Sequence, residues 1–410
     1  MPPSARHPAA RPALFCLLTL ALCLTGCAPH PKIAAWVVRY DIETPAEVHE
    51  ICRTAQETGL NRLLVQVRGR ADAFYRSDLA PAPEPPAEVP AEFDPLAATL
   101  AACAPLEVEA WLNVFFLWGD TTPPLAARHP LNRDPGMVLR DADGRSVAEY
   151  SEEDRARGWI EGVYADPASA AYRRLFVQVV EELIRRYPVT GIHLDFVRYP
   201  GADYGQSGEL GERFRARWGF DPRLLPKPLL APDLDTWLRG EMAPGDRVLA
   251  TAALLWAAMR AEAVTELVRE VRAALAEAGR PLSLSAAVLA DGGKAYLKHG
   301  QDWQGWIDQG LVNALYPMAY FGGPDRVGGQ LRDVALAQRP QAPIRLWAGL
   351  GAYIKEPAEI GREAATAAGL GYDGISLFSL GHLLARPAGA APYLAAVRTA
   401  GTRRPRPAPV

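Results

Sequence analysis

The stretch GIHLDFVRYP, Gly191–Pro200, places His193, Asp195 and Arg198 in a run that otherwise reads as a strand. Period-2 alternation sets His193 and Asp195 on one face with Gly191, and Ile192, Leu194 and Phe196 on the other. The apolar face can pack on helices. A carboxylate on the opposite face needs partners or a reaction, because an unpaired buried charge is costly. Asp195 is therefore either a reacting group or an ion-pair scaffold held by Arg198, Arg68 or Arg39. Polar residues also end the other β-rich runs: Arg39 and Asp41; Gln66, Arg68, Arg70 and Asp72; Asn113 with Asp120; Asp291; Tyr316 and Tyr320; Tyr353. His193 with Asp195 is too thin a set for zinc, and no H-E-x-x-H is present. No G-x-S-x-G elbow or P-loop points to acyl transfer or nucleotide chemistry, and nothing calls for a cofactor. Aromatic residues crowd two long segments: Trp118, Tyr150, Trp159, Tyr164, Tyr204, Trp218 and Trp237. Flat rings can cover the apolar faces of sugar rings while carboxylates and amides bind hydroxyls, so a glycan fits such a surface. The competing role for many of these rings is a small core beneath the loops.

The elements that would position these groups alternate with some regularity. Strand-like runs are read at Ile33–Tyr40, Leu60–Arg68, Val108–Trp118, Val189–Val197, Pro281–Ala290, Leu311–Tyr320, Ile344–Gly351 and Asp373–Leu380. Helical stretches separate them. The first has Thr44 as N-cap, Pro45 at the first helical position and Gly59 as its stop. Others are read at Ala168–Tyr187, Thr251–Ala278, Arg326–Gln338, Pro357–Gly369 and Ala390–Ala400. Short apolar strands alternating with helices imply a parallel sheet covered on both faces, and eight such units imply a closed (β/α)8 (TIM) barrel. A doubly wound sheet is the alternative, without a G-x-G-x-x-G after the first strand to support it. Long connections, Gly119–Pro167 and Pro200–Ala250, follow the third and fourth strands. In a barrel both rise over the C-terminal face, where barrel enzymes carry their chemistry.

The 410 residues carry a formal net charge of −3 without long single-sign blocks, which argues against nucleic acid as partner. The N-terminus is expected to be a targeting segment. Arg6, His7 and Arg11 precede the apolar run Ala13–Leu24, and LTGC (Leu24–Cys27) resembles a bacterial lipobox. This divides the chain into a leader at 1–27, a domain at 28–400 and a disordered tail at 401–410. Cys27 would carry lipid and anchor the domain to a membrane; Ala28, in place of Asp, directs the expectation to the outer membrane, periplasmic face. With Cys16 and Cys23 in the leader, Cys52 and Cys103 remain. Both fall in apolar helical stretches, and two separate buried thiols are expected in preference to a disulfide.

The stretches WVVRYDIETPAEV, LNRLLVQVRGRADAFY, AWLNVFFLW, GIHLDFVRYPG and QDWQGWIDQGLVNALYPMAYF resemble, in order, the family-10-like glycosyl hydrolases. The resemblance implies a TIM-barrel glycosidase, and lipoprotein members of the family imply action on peptidoglycan strands stripped of their peptides. Carried over by motif, Gln66, Arg68, Arg70, Asp72 and Tyr75, and then His193, Asp195 and Tyr199, would stand at the mouth. Arg39, Asp41, Asn113, Arg198 and Tyr320 complete the expected substrate-binding set. Many relatives have a second Asp where this chain has Phe196. Glycoside hydrolysis normally uses two carboxyl groups, one protonated. Asp195 is expected to be one, as nucleophile or base. Its partner is sought in Asp291, then Asp120, then Asp72 and Asp302, of which Asp302 also suits a helix cap. A non-catalytic glycan-binding barrel is the alternative reading, and an enzyme acting on a small anion is a third.

Overall fold

A computed structural model describes residues 32–225, 243–338 and 344–401. The leader with Cys27, Trp237 and residues 402–410 of the expected tail lie outside the described residues, while Gly401 closes the last helix, Ala391–Gly401. The strands are β1 (Lys32–Val37), β2 (Arg62–Arg68), β3 (Glu107–Asn113), β4 (Phe116–Trp118), β5 (Val163–Tyr164), β6 (Gly191–Asp195), β7 (Ser283–Leu289), β8 (Ala314–Ala319), β9 (Arg345–Leu350) and β10 (Gly374–Leu377). Eight of them form a closed parallel barrel in the order β1, β2, β3, β6, β7, β8, β9, β10, with β10 paired back onto β1. This is the (β/α)8 fold. β4 and β5 form a separate antiparallel ribbon.

Alternation builds two cores from one wall. Ile33, Ala35, Val37, Ile192, Leu194 and Leu284 face the surrounding helices. Ala34, Trp36, Leu64, Trp111, Ala314, Tyr316 and Trp347 fill the barrel interior, where Tyr316 stacks on Trp347 at 5.6 Å. The first helix, Pro45–Glu57, begins in a capping box: Thr44 Oγ1 accepts from Glu47 N, and the Glu47 carboxylate accepts from Thr44 N. Ser169 caps the helix Ala170–Arg186, which leads into β6.

Several boundaries differ from those read in the sequence. The run Val108–Trp118 splits, because its ladder with β6 ends at Asn113↔Asp195 and the chain then leaves the barrel to pair with β5. A continuous apolar run does not show where a strand changes partner. The helix preceding β7 begins at Pro244, ahead of the expected Thr251. A helix at Gly292–His299 starts immediately after Asp291. Cys52 and Cys103 form a disulfide, correcting the expectation of separate thiols. The contact between the helices Pro45–Glu57 and Pro95–Ala102 brings their Cα atoms to 4.6 Å, a proximity that spacing in the chain does not reveal.

Candidate functional site

β6 ends at Asp195, which is only 8% exposed, at the C-terminal mouth of the barrel. Its Oδ1 accepts from Phe196 N at 2.7 Å. Burial raises the Asp195 carboxyl above its ordinary range; the charge of Arg198, the Phe196 N–H and the Trp111 indole oppose that rise, and the negative charge of Glu161 adds to it. Phe196 has φ +49, a left-handed conformation that a bulky residue adopts at a cost. This turns the chain so that the Phe196 ring packs on Phe116 at 5.1 Å and Tyr164 at 6.2 Å, one from each strand of the ribbon. Phe196, the residue after Asp195, is therefore the dock on which the β4–β5 ribbon closes. Arg198 lies over the Phe196 ring at 4.5 Å and reaches Glu161 at 3.7 Å.

Below Asp195, His193 is fully buried, which corrects its expected place at the open mouth. Its Nε2 accepts from the Trp36 indole at 3.1 Å, so the ring proton belongs on Nδ1, 2.8 Å from Ser285 Oγ. Ser285 in turn donates to Glu109, whose other oxygen lies 3.1 Å from Arg62. Arg62 also donates to the Tyr316 hydroxyl at 2.9 Å. Burial and the nearby Arg62 charge hold His193 neutral, its pKa lowered to about 3. This polar floor beneath the mouth uses Arg62, Glu109 and Ser285, which sequence reasoning did not select. All lie in period with His193, but near strand starts, where polar residues read as solvated ends.

Around the rim, Arg39 donates to Gln66 at 2.8 Å, Gln66 donates to Asn113 at 3.3 Å, and Asn113 donates to Gly69 O at 2.9 Å. Tyr320 and Tyr353 pack on Phe378 at 5.4 and 5.6 Å, and Phe378 on Trp36 at 6.0 Å. Asp195 is close enough to Tyr320 for its charge to act on that phenol. Phe321 and Trp159 stand 64% and 87% exposed. Asp41 accepts from Val38 N at 3.2 Å and faces His382. A Cβ on Gly381 would fall 2.1 Å from the Asp41 carboxylate, so any larger residue there would push that carboxylate aside.

Other expected site residues are placed elsewhere. Register shifts between Gln66 and Arg68, so Arg68 pairs with Leu112. Arg68 consequently packs against the helix Ala170–Arg186, donating to Asn113 O at 2.6 Å, with its guanidinium over Phe176 at 5.3 Å. Arg70 lies over Trp118 and donates to Glu84 O and Pro85 O, while Asp72 accepts from Gly69 N and Arg70 N. These two hold a loop together. Tyr75 packs on Tyr187 at 5.7 Å, and Tyr199 is buried beneath Arg260 at 4.2 Å. Asp291 is exposed and caps a helix through Lys294 N; Asp302 caps through Gly305 N. Asp120 is exposed, accepts from Thr122 N, and lines a cavity of about 250 Å³ with Trp118, Val138 and Arg140. Among the described residues, no three His, Cys, Asp or Glu side chains are grouped to hold a metal.

A closed parallel barrel with a buried carboxylate, an arginine and aromatic rings at its C-terminal mouth has the parts that a barrel glycosyl hydrolase uses. The chain belongs to the Glycosyl hydrolase-like 10 family, which matches residues 34–360. It is 27% identical over 171 residues to glycosyl hydrolase YngK of Bacillus subtilis, a match covering 40% of this chain and 30% of that protein. The chain thus aligns with less than a third of the length of this relative. Its fold is similar to the PgaB (BpsB) glycoside hydrolase domain from Bordetella bronchiseptica, with a TM-score of 0.63, 14% identity, 92% of this chain and 100% of that one covered. It is also similar to the catalytic domain of a β-amylase from Paenibacillus polymyxa, with a TM-score of 0.60, 10% identity, and 90% and 98% coverage.

Proposed function

We propose that this chain hydrolyses O-glycosidic bonds of a cell-wall glycan, with peptidoglycan strands as substrate, while lipid-anchored in the bacterial cell envelope. The observation that carries this reading is Asp195, a carboxyl at the barrel mouth whose burial favours the protonated form needed to assist a leaving sugar oxygen, which makes it the acid in place of the nucleophile or base expected from the sequence. The rings of Tyr320, Tyr353 and Phe378, with the exposed Trp159 and Phe321, offer apolar faces to sugar rings. Arg39 and Asp41, partly exposed at the rim, supply hydrogen bonds for hydroxyls, with Gln66 and Asn113 beneath holding Arg39 in place. The envelope location is supported by the LTGC sequence at Leu24–Cys27 and by the Cys52–Cys103 disulfide, a bond that persists in oxidising compartments.

The test is digestion of purified peptide-free glycan strands by the mature protein, with products read by mass spectrometry. Shorter strands with new reducing ends are expected. Retention of the strands without any cleavage would overturn the enzymatic reading and leave a glycan-binding barrel. For the anchor, Cys27→Ala should release the protein into the soluble fraction; continued membrane association would contradict lipidation at that cysteine.

A further inference from the structure

We infer that Glu161 is the second catalytic carboxylate, acting as the base opposite Asp195. The inference rests on the glycosidase reading and names a residue that reading left open. Glu161 lies two residues before β5, at the entry to the ribbon that docks against Phe196. Contacts place it beside the end of β6: Arg198 stands 3.7 Å from Glu161 and 4.5 Å over the ring of Phe196, the residue after Asp195, and Tyr164, which donates to Glu161, packs on the same ring at 6.2 Å.

The ribbon holds Glu161 in place through its neighbours. A Cβ on Gly162 would fall 2.2 Å from Trp118 O and 2.9 Å from Phe116 Cε2, so only glycine lets the two strands close at this point. The Tyr164 hydroxyl donates to Glu161 Oε2 at 2.7 Å, and Arg198 stands beside Oε1. The Glu161 side chain nonetheless remains 51% exposed, open to substrate and water. The competing carboxylates are occupied otherwise: Asp291 and Asp302 cap helices, Asp72 holds a turn, and Asp120 accepts from Thr122 N. Asp41 follows β1, separated from β6 by β2 and β3, and faces His382.

The pair divides the work by environment. The buried Asp195 gives its proton to the glycosidic oxygen as the bond from that oxygen to the anomeric carbon breaks. Glu161 takes a proton from the water whose oxygen bonds to the same carbon. One water is consumed, two sugar hydroxyl-bearing ends are released, and proton return from Glu161 to Asp195 through solvent restores the starting state.

The test compares wild type, Glu161→Gln, Glu161→Ala and the control Glu152→Gln on peptide-free glycan strands. Glu161→Gln keeps an acceptor for Tyr164 and should lower cleavage roughly 100-fold or more at unchanged Tm, while Glu152→Gln cleaves as wild type does. Azide should restore turnover of Glu161→Ala with a glycosyl azide as product, which a merely structural residue would not produce. In parallel, the Asp195 carboxyl is titrated by ¹³C NMR, where its pKa should fall in Glu161→Gln as a neighbouring negative charge is removed. Full cleavage by Glu161→Gln, no glycosyl azide, or an unmoved Asp195 titration would overturn the assignment. Inactivity of the wild type would instead sink the glycosidase reading, and the titration would still decide whether the two carboxyls face each other.

Discussion

Asp166 follows β5 at the base of the ribbon and supports a quantitative pH prediction. Its carboxyl is buried, and burial, with the charge of Glu209 adding to it, raises its pKa from 3.8 to about 6. The Ala168 N–H, donating to Asp166 Oδ1 at 2.9 Å, opposes the shift only in part. Because the folded pKa is raised, the contribution of this group is fully present below about pH 3.8 and is lost as pH rises through about 6. A shift of about 2 units corresponds to about 3 kcal/mol. Asp166→Asn keeps the oxygen that accepts from Ala168 and removes the charge. It should therefore stabilise the protein by up to about 3 kcal/mol at pH 7.5 and by nothing near pH 3.5. With an unfolding entropy of about 2 cal/mol/K per residue, that is a rise in Tm of roughly 3–4 °C for a domain of this size. Differential scanning calorimetry of both proteins across pH 3.5–8 measures it. An equal Tm difference at both ends of that range would refute the reasoning, because the effect would then be packing and not titration.

Replacing Cys52 by Ser opens a covalent loop spanning 51 residues and should cost about 4 kcal/mol, seen as a lower urea midpoint that dithiothreitol reproduces in the wild type; an unchanged midpoint would contradict this. Arg62→Met leaves Glu109 in the barrel interior without its arginine, 3.1 Å away in the wild type. The loss should be about 3–5 kcal/mol by chemical denaturation, with Arg62→Met/Glu109→Gln regaining part of it. A single mutant within 1 kcal/mol of wild type would show that the floor of the barrel does not depend on this pair.

The eight repeating units were legible because each β-strand is apolar on both faces or carries one polar face, and several helices open with a recognisable cap such as Thr44–Glu47. The position of Asp195 at a strand end was legible from period 2 alone. Arg68 was misplaced because one irregularity after Gln66 reverses the face, and a bulge leaves no mark in composition. Tyr199 and Tyr75 sit beyond their strands, where alternation stops predicting direction, and both turn into the protein wall. Glu161 was not legible at all. It lies in a 49-residue connection (119–167) whose ribbon strand β5 is only two residues long, too short for any periodic signal. The one pointer was that a long segment following a barrel strand must rise over the mouth. Phe196, where the resemblance led to an expected second carboxylate, is in the structure the surface on which that segment docks.

The central claim is that Asp195 is a reacting group. It is tested most directly by timed digestion of peptide-free glycan strands with wild type and Asp195→Asn, products being quantified by mass spectrometry. Asparagine keeps an oxygen to accept from Phe196 N and preserves side-chain volume, so folding and strand binding should be retained. Cleavage should fall by about 10²–10⁴-fold, the range for losing a positioned acid. Equal rates of cleavage by the two proteins would contradict the account.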